Sequence, residues 1–293
     1  MIRYVEPLFR PPSEADSLIL QATLGCSYNE CAFCGMYRTK RFKVRPIDEL
    51  RREIAWAKSE LGEDVAKVFL ADGDALIARP AFIHDVLNAL REAFPSLRRV
   101  SCYASPQALD VRSVDDMRKL REGGLTQYYL GIESGHDAVL ARLTKGVDAA
   151  TMIRVANKAH EAGVKLSTMI LLGAGGRALS REHAKESARV VNAIAPRFVS
   201  TLVMTPVEGT PLHTEWMAGN VDELTPLELA RELRWFLEDL DLDGSIFRSN
   251  HASNYLAIGG TLRKDKAAML AALDAVLKDP RVARFRADWQ RGL

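Results

Sequence analysis

The chain is poor in cysteine, with 4 among 293 residues, and in aromatic side chains, at 7%. Four thiols in a chain of this length do not make a disulfide scaffold. An excess of either charge is also missing: 40 basic against 38 acidic side chains leave +2. No overall field therefore draws the protein to nucleic acid or to an anionic membrane, and any such contact needs a local patch. No apolar run approaches the ~20 residues of a spanning helix, and Met1 to Arg10 lacks the long apolar core of a secretory signal. These absences predict a soluble, cytoplasmic protein without a membrane partner. What is present is ample core material, 47% hydrophobic against 27% charged, which excludes wholesale disorder.

Short apolar runs alternate with segments of helical period. Strands are expected at Leu18 to Leu24, Ala66 to Ala71, Arg99 to Tyr103, Thr126 to Ile132, Val164 to Leu172 and Arg197 to Met204. Helices are expected from Ile47, over Pro80 to Phe94, Val114 to Arg121, Asp137 to Leu143, Ala149 to Ala162 and Arg181 to Ile194. Strand-then-helix units in series predict an α/β fold with a parallel sheet and right-handed crossovers. The continuously apolar strands agree with burial on both faces. After Met204 the rhythm breaks into helical stretches at Thr225 to Leu240 and Lys264 to Leu277, separated by an irregular polar stretch from Arg248 to Gly260. The expected division is residues 1–215 as the α/β domain and residues 216–293 as a mostly helical C-terminal extension packing on it or capping it.

Cys26, Cys31 and Cys34 follow the first strand as C-S-Y-N-E-C-A-F-C, with Cys102 far away in sequence. Active sites in such sheets collect at the carboxyl ends of strands. Structural zinc wants four closed ligands, usually as two separated pairs. A cubane iron–sulfur cluster held by three thiolates keeps one iron open, which is a catalytic arrangement. A zinc or purely electron-transfer site stands as the alternative.

With these cysteines and Phe33 before the last of them, the sequence resembles the radical S-adenosylmethionine (SAM) superfamily over about residues 15–215. Its flavour is that of the domain shared by methylthiotransferases, oxygen-independent coproporphyrinogen oxidases and the Elongator catalytic subunit. Four residues separate Cys26 from Cys31, where the commonest family spacing has three. The resemblance implies a partial (β/α)6 TIM-type barrel, with Cys26, Cys31 and Cys34 as ligands of a [4Fe-4S] cluster and SAM as cofactor. It implies that Asp72, Gly73 and Asp74 stand at the turn that binds the SAM amino group. Glu133 and Ser134 match the ribose region; Ile170, within the apolar run from Met169 to Gly176, and Met204 match the adenine region. It further implies reductive cleavage of SAM to a 5′-deoxyadenosyl radical, hydrogen abstraction from a substrate, and an electron donor such as flavodoxin or ferredoxin.

Each of these positions has a plainer reading. Asp-Gly is an ordinary turn, Ser134 or Asp137 can cap a helix, and Ile170 can be core. Gly175-Gly176 suggests a phosphate loop, but no Gly-Lys-Ser/Thr follows and the helix is expected to start late. Cys102 reads first as a small buried hydrophobe and second as a hydrogen-atom donor or substrate ligand facing the cavity, near Tyr103 and Ser105. Arg38, Lys40, Arg41, Lys43 and Arg45 form either a positive rim to the cluster or a solvated loop, with Arg38 the one expected to point inward. His251, in the polar run from Phe247 to Tyr255, is the second catalytic candidate through substrate or lid contact. His136, His160 and His183 read as surface or packing residues, with His183 placed to seal the loop after Gly176. Arg281, Arg284, Arg286 and Arg291 read as a solvated helical face. A small-molecule substrate is favoured over RNA or protein, because the near-zero net charge offers no recognition field.

Overall fold

The computed structural model describes residues 1–292. The chain is α/β with a mostly parallel central sheet and helices between its strands. It divides into two compact units that interleave along the sequence, the first Met1–Asn29, Met36–Leu130 and Val155–Leu166, the second Glu30–Gly35, Gly131–Arg154 and Ser167–Leu293. This partition does not fall at residue 215. Among the described residues, no helix is long and apolar enough to cross a membrane.

The first unit carries β1 (Leu18–Gln21), β2 (Thr23–Leu24), β3 (Lys43–Val44), α1 (Ile47–Leu61), β4 (Lys67–Ala71), α2 (Pro80–Ala93), β5 (Arg99–Tyr103), α3 (Pro106–Val111), α4 (Val114–Glu122) and most of β6 (Leu125–Glu133). Strands β1, β4, β5 and β6 pair in parallel in that order. Register places Leu20, Leu70, Cys102 and Tyr128 in one cross-strand row. Because side chains alternate along a strand, the neighbouring positions Phe69, Tyr103 and Tyr129 face the other way and meet edge to face, with centroids 5.2–6.1 Å apart. On that aromatic face the buried Glu14 carboxylate accepts from Arg99 at 2.8 Å and Ser101 at 3.0 Å. Helix α1 is tied to the end of β1 by Arg45, which forks onto Glu53 at 2.8 and 2.9 Å and donates to the Gln21 carbonyl at 3.1 Å.

The second unit holds the end of β6, α5 (Asp137–Arg142), the start of α6 (Ala149–Glu161), nearly all of β7 (Lys165–Leu172), α7 (Gly176–Ile194), β8 (Phe198–Val203), α8 (Pro211–Met217), α9 (Pro226–Asp239), β9 (Ile246–Ser249), β10 (Ile258–Thr261) and α10 (Lys266–Lys278). Strands β7, β8 and β9 run parallel, and β10 returns antiparallel to β9.

Four expectations change. The first strand breaks after Gln21 into β1 and β2. The polar stretch is flanked by two short strands, and it is stitched down rather than loose: Val203 N–H donates to Ser253 Oγ at 3.2 Å and Asn254 Oδ1 at 2.9 Å, while Asn254 Nδ2 donates to the Thr201 carbonyl at 2.7 Å. The arginine tail is not one solvated helical face: Arg281 and Arg284 are exposed, but Arg286 and Arg291 turn onto the polar stretch. Arg286 donates to the His251 carbonyl at 2.7 Å and Arg291 to the Ser253 carbonyl at 2.8 Å, with the Arg291 guanidinium 3.9 Å over the Tyr255 ring. Helix α7 starts at Gly176, not Arg181, so a late helix start no longer argues against a phosphate loop; the missing Gly-Lys-Ser/Thr still does.

The Arg45–Glu53 pair is buried on both sides. Removing one partner strands a charge in the interior, at a cost of about 3–5 kcal/mol. Arg45→Met should lower the urea midpoint sharply, and Arg45→Met/Glu53→Leu should recover most of it.

Candidate metal and cofactor site

In the first unit, β4 delivers the turn Asp72-Gly73-Asp74 to the start of the cysteine loop. Asp72 is fully buried and its carboxylate is spoken for: Lys40 sits 2.7 Å from Oδ2, Gln21 Nε2 donates to Oδ1 at 3.0 Å, and Gly25 N–H donates at 3.0 Å. Gly73 is glycine because a Cβ there would lie 2.6 Å from the Tyr37 ring and 3.0 Å from Cys26 Cβ. Asp74, also buried, accepts from Ser27 Oγ, from Ser105 N–H at 3.0 Å and from Ser105 Oγ at 2.7 Å. Burial pushes its carboxyl up, and these donors hold it back only in part. The turn therefore clamps the residue after Cys26 to the end of β5.

In the second unit, Cys31 and Cys34 are half-buried. The end of β6 brings Glu133 into a left-handed conformation, φ 66°. For a residue with a side chain this conformation costs energy, and it persists only where the surroundings impose it. Here Lys145 donates to Glu133 Oε1 at 2.9 Å, with both side chains about one-tenth exposed. A Cβ at position 131 would lie 1.9 Å from Glu133 Oε1, so only glycine leaves room for this pair. Burial alone would discharge Lys145, but the Glu133 carboxylate and the thiols of Cys31 and Cys34 outweigh it and raise its pKa. Lys145 thus couples the strand end to two of the three cysteines. Phe33, between them, packs on an apolar cluster of Val139, Leu143, Leu171 and Ala174, which Met204, Leu179 and Leu202 also join.

Ser134 is fully buried and lies on an internal network with His183. Its Oγ accepts from His136 N–H at 3.0 Å and sits 2.8 Å from His183 Nδ1. His183 Nε2 is 3.0 Å from the Leu171 carbonyl. A carbonyl only accepts, so Nε2 carries the proton and Nδ1 accepts from Ser134. Glu232 of α9 accepts from Gly173 N–H at 2.7 Å and pairs with Ser180 Oγ. Burial lowers His183 to about 4 and raises Glu232 to about 7. His183 and Glu232 face each other 3.7 Å apart, and between about pH 4 and 7 both are in their neutral forms.

The remaining candidates fall elsewhere. Ile170 is in the packed interior, 1% exposed. Cys102 is fully enclosed on the sheet face opposite Tyr103, and burial with the Asp74 charge drives its thiol well up. That setting gives no support to the expectation that it faces a cavity as a donor, and matches the plainer apolar reading. His251 Nδ1 accepts from Ser253 N–H at 3.1 Å inside its own turn. The five basic residues after the cysteines divide: Lys40 and Arg45 are buried in ion pairs, Arg38 is half-buried, and Arg41 and Lys43 are exposed. Sequence reasoning missed Lys145, Ser180 and Glu232, and underrated His183.

Among the described residues, no preassembled group of three or more His, Cys, Asp and Glu side chains is arranged around a metal ion. The fit to an iron–sulfur cluster rests on the donors themselves. Three partly accessible thiols are the soft ligands that such clusters take, and Lys145 supplies a compensating positive charge at two of them.

The model of the Radical SAM superfamily matches residues 20–188. An uncharacterized protein, MJ0486, of Methanocaldococcus jannaschii is 25% identical over 136 residues, which span 46% of this chain and 42% of that protein. Among solved structures, the chain is similar to coproporphyrinogen III oxidase (HemN) from Escherichia coli, with TM-score 0.59 and 19% identity over 76% of this chain and 52% of that one. It is also similar to methylornithine synthase (PylB), with TM-score 0.54 and 19% identity over 78% and 64%. A third is the archaeal Elp3 of Methanocaldococcus infernus, with TM-score 0.53 and 16% identity over 81% and 60%. At these identities the structural likeness concerns the fold, and the chain spans less than two thirds of each of these proteins.

Glu232 supplies a pH test of the buried network. Its carboxyl moves from 4.5 to about 7, so between those values the folded chain holds a proton that the unfolded chain has lost. Stability should fall as pH rises from 4.5 through about 7, by up to about 3 kcal/mol at ~1.4 kcal/mol per pKa unit. Urea midpoints of the wild type relative to Glu232→Gln, measured at pH 5 and pH 8, should show the wild type losing ground at pH 8.

Proposed function

The chain belongs to the radical SAM superfamily, whose proteins bind a [4Fe-4S] cluster and SAM, and on that premise we propose that it is a radical SAM enzyme acting on a small-molecule substrate. In this reading Cys26, Cys31 and Cys34 hold the cluster. When bound, the cluster supplies the electron that splits SAM reductively into methionine and a 5′-deoxyadenosyl radical, the agent of hydrogen abstraction.

The observation that carries the reading is Lys145. A buried ammonium hydrogen-bonded to the Glu133 carboxylate at the end of β6, where the family's ribose region falls, is also under the electrostatic influence of Cys31 and Cys34. Its charge offsets the negative charge that thiolates bring into a low-dielectric site. Its hydrogen bond fixes the Glu133 carboxylate, which then stands oriented for ribose hydroxyls. Phe33, which lies between Cys31 and Cys34 in the chain, packs with Met204 on the same apolar cluster and so anchors that part of the cysteine loop. Asp74 holds Ser27, and with it the start of the loop, through a hydrogen bond. Asp72 is engaged by Lys40, so at this turn the carbonyls of residues 72–74, rather than the Asp72 carboxylate, are the groups proposed to meet the SAM ammonium. The small-molecule assignment rests on the near-zero net charge, and an electron carrier of the flavodoxin or ferredoxin type is the proposed reductant.

Anaerobic reconstitution tests this directly. The wild type should take up about four irons and four sulfides per chain and release 5′-deoxyadenosine from SAM under dithionite. Alanine at Cys26, Cys31 or Cys34 should abolish both. Zinc in place of iron, or 5′-deoxyadenosine from Cys31→Ala, would overturn the assignment.

A further inference from the structure

We infer that Glu232 and His183 are positioning residues for SAM, and that a part of the chain beyond the family-matched residues thereby completes the cofactor site; the inference rests on the function proposed above. Two turns are involved, 133–136 after β6 and 171–176 after β7, the places assigned to ribose and adenine. Neither turn is held by its own backbone alone. His183, fully buried on α7, bridges them: Ser134 donates to its Nδ1 at 2.8 Å, and its Nε2–H donates to the Leu171 carbonyl at 3.0 Å. The bridge has one sense of donation throughout, from His136 N–H to Ser134, to His183, to Leu171. A ring in the other tautomer would set Nε2, without its proton, against a carbonyl.

Glu232 supplies the third support. It comes from α9, outside residues 20–188, and it is fully buried. Its Oε1 takes the Gly173 N–H at 2.7 Å, and its Oε2 pairs with Ser180, one helical turn before His183. Gly173 has φ 83°, where its amide has no helix or strand partner of its own. A buried amide without an acceptor costs about 1–3 kcal/mol, so the carboxyl of α9 determines whether this turn keeps its shape. Both residues work through the turns and touch neither cofactor nor substrate in this scheme. Between about pH 4 and 7 burial keeps both members of the pair neutral, so over that range the support they give the two turns adds no net charge.

The test is SAM binding to the reconstituted holoprotein, read by the change that SAM induces in the EPR spectrum of the reduced cluster and by equilibrium dissociation constants at pH 6.5. Glu232→Gln keeps an acceptor for Gly173 and a donor for Ser180, and should bind SAM within about twofold of wild type. Glu232→Ala should weaken SAM about tenfold or more, as for the loss of one buried hydrogen bond, with iron content unchanged. His183→Asn keeps a partner for Ser134, drops the bond to Leu171, and should weaken SAM similarly. If Glu232→Ala fails to fold, His183→Asn and Glu232→Gln decide. Wild-type affinity in a folded Glu232→Ala or His183→Asn, or loss of affinity in Glu232→Gln as severe as in Glu232→Ala, would overturn the inference. Failure of the wild-type holoprotein to bind SAM would instead overturn the proposed function.

Discussion

Ionisable groups buried in the interior are the constraint around which this molecule is arranged. Water cannot solvate them there, so each must find a partner within the chain or surrender its charge. Both solutions occur. Asp72 is matched by Lys40, Glu133 by Lys145, Glu53 by Arg45 and Glu14 by Arg99. Asp74 and Glu232 have no cation in hydrogen-bond contact; they are held by hydroxyls and backbone amides, and their carboxyls are pushed up. The first group brings charge matched by a cation, while the second is held in place by neutral donors alone. A cofactor that is itself a cation with a carboxylate needs both kinds of neighbour.

The architecture was largely readable because it follows from periodicity. β5 spans the residues expected of it, and β4, α2 and β8 begin or end within a residue or so of expectation. Short elements escaped for local reasons. Helix α3 has too few residues to show a period, and it exists because Ser105 caps it and Pro106 stands at its first position. Strands β9 and β10 hide in a polar, glycine-bearing stretch whose pairing is long-range.

The candidate site was readable only in its nucleophilic and acidic parts. Three cysteines on one loop announce themselves by spacing, and Glu133 by its place at a strand end. Lys145 does not, because an isolated lysine after a helix ordinarily belongs to solvent; its burial follows from partners 12 residues before it and on the cysteine loop. His183 and Glu232 did leave a trace. His183 shares a helix face with Ser180, Ala184 and Ser187, and Glu232 shares one with Leu229, Leu233 and Phe236, all buried. A titratable residue on the apolar stripe of a helix is a signal that patterning alone can show. Its partners, however, are fixed only by tertiary packing.

The enclosure of Cys102 has a practical consequence. The other three thiols are within reach of solvent, whereas this one is sealed and held in its protonated state, the form that does not react. Alkylating reagents applied to the cluster-free chain would therefore stop at three modifications while the fold is closed, and a fourth adduct would count the molecules that have opened.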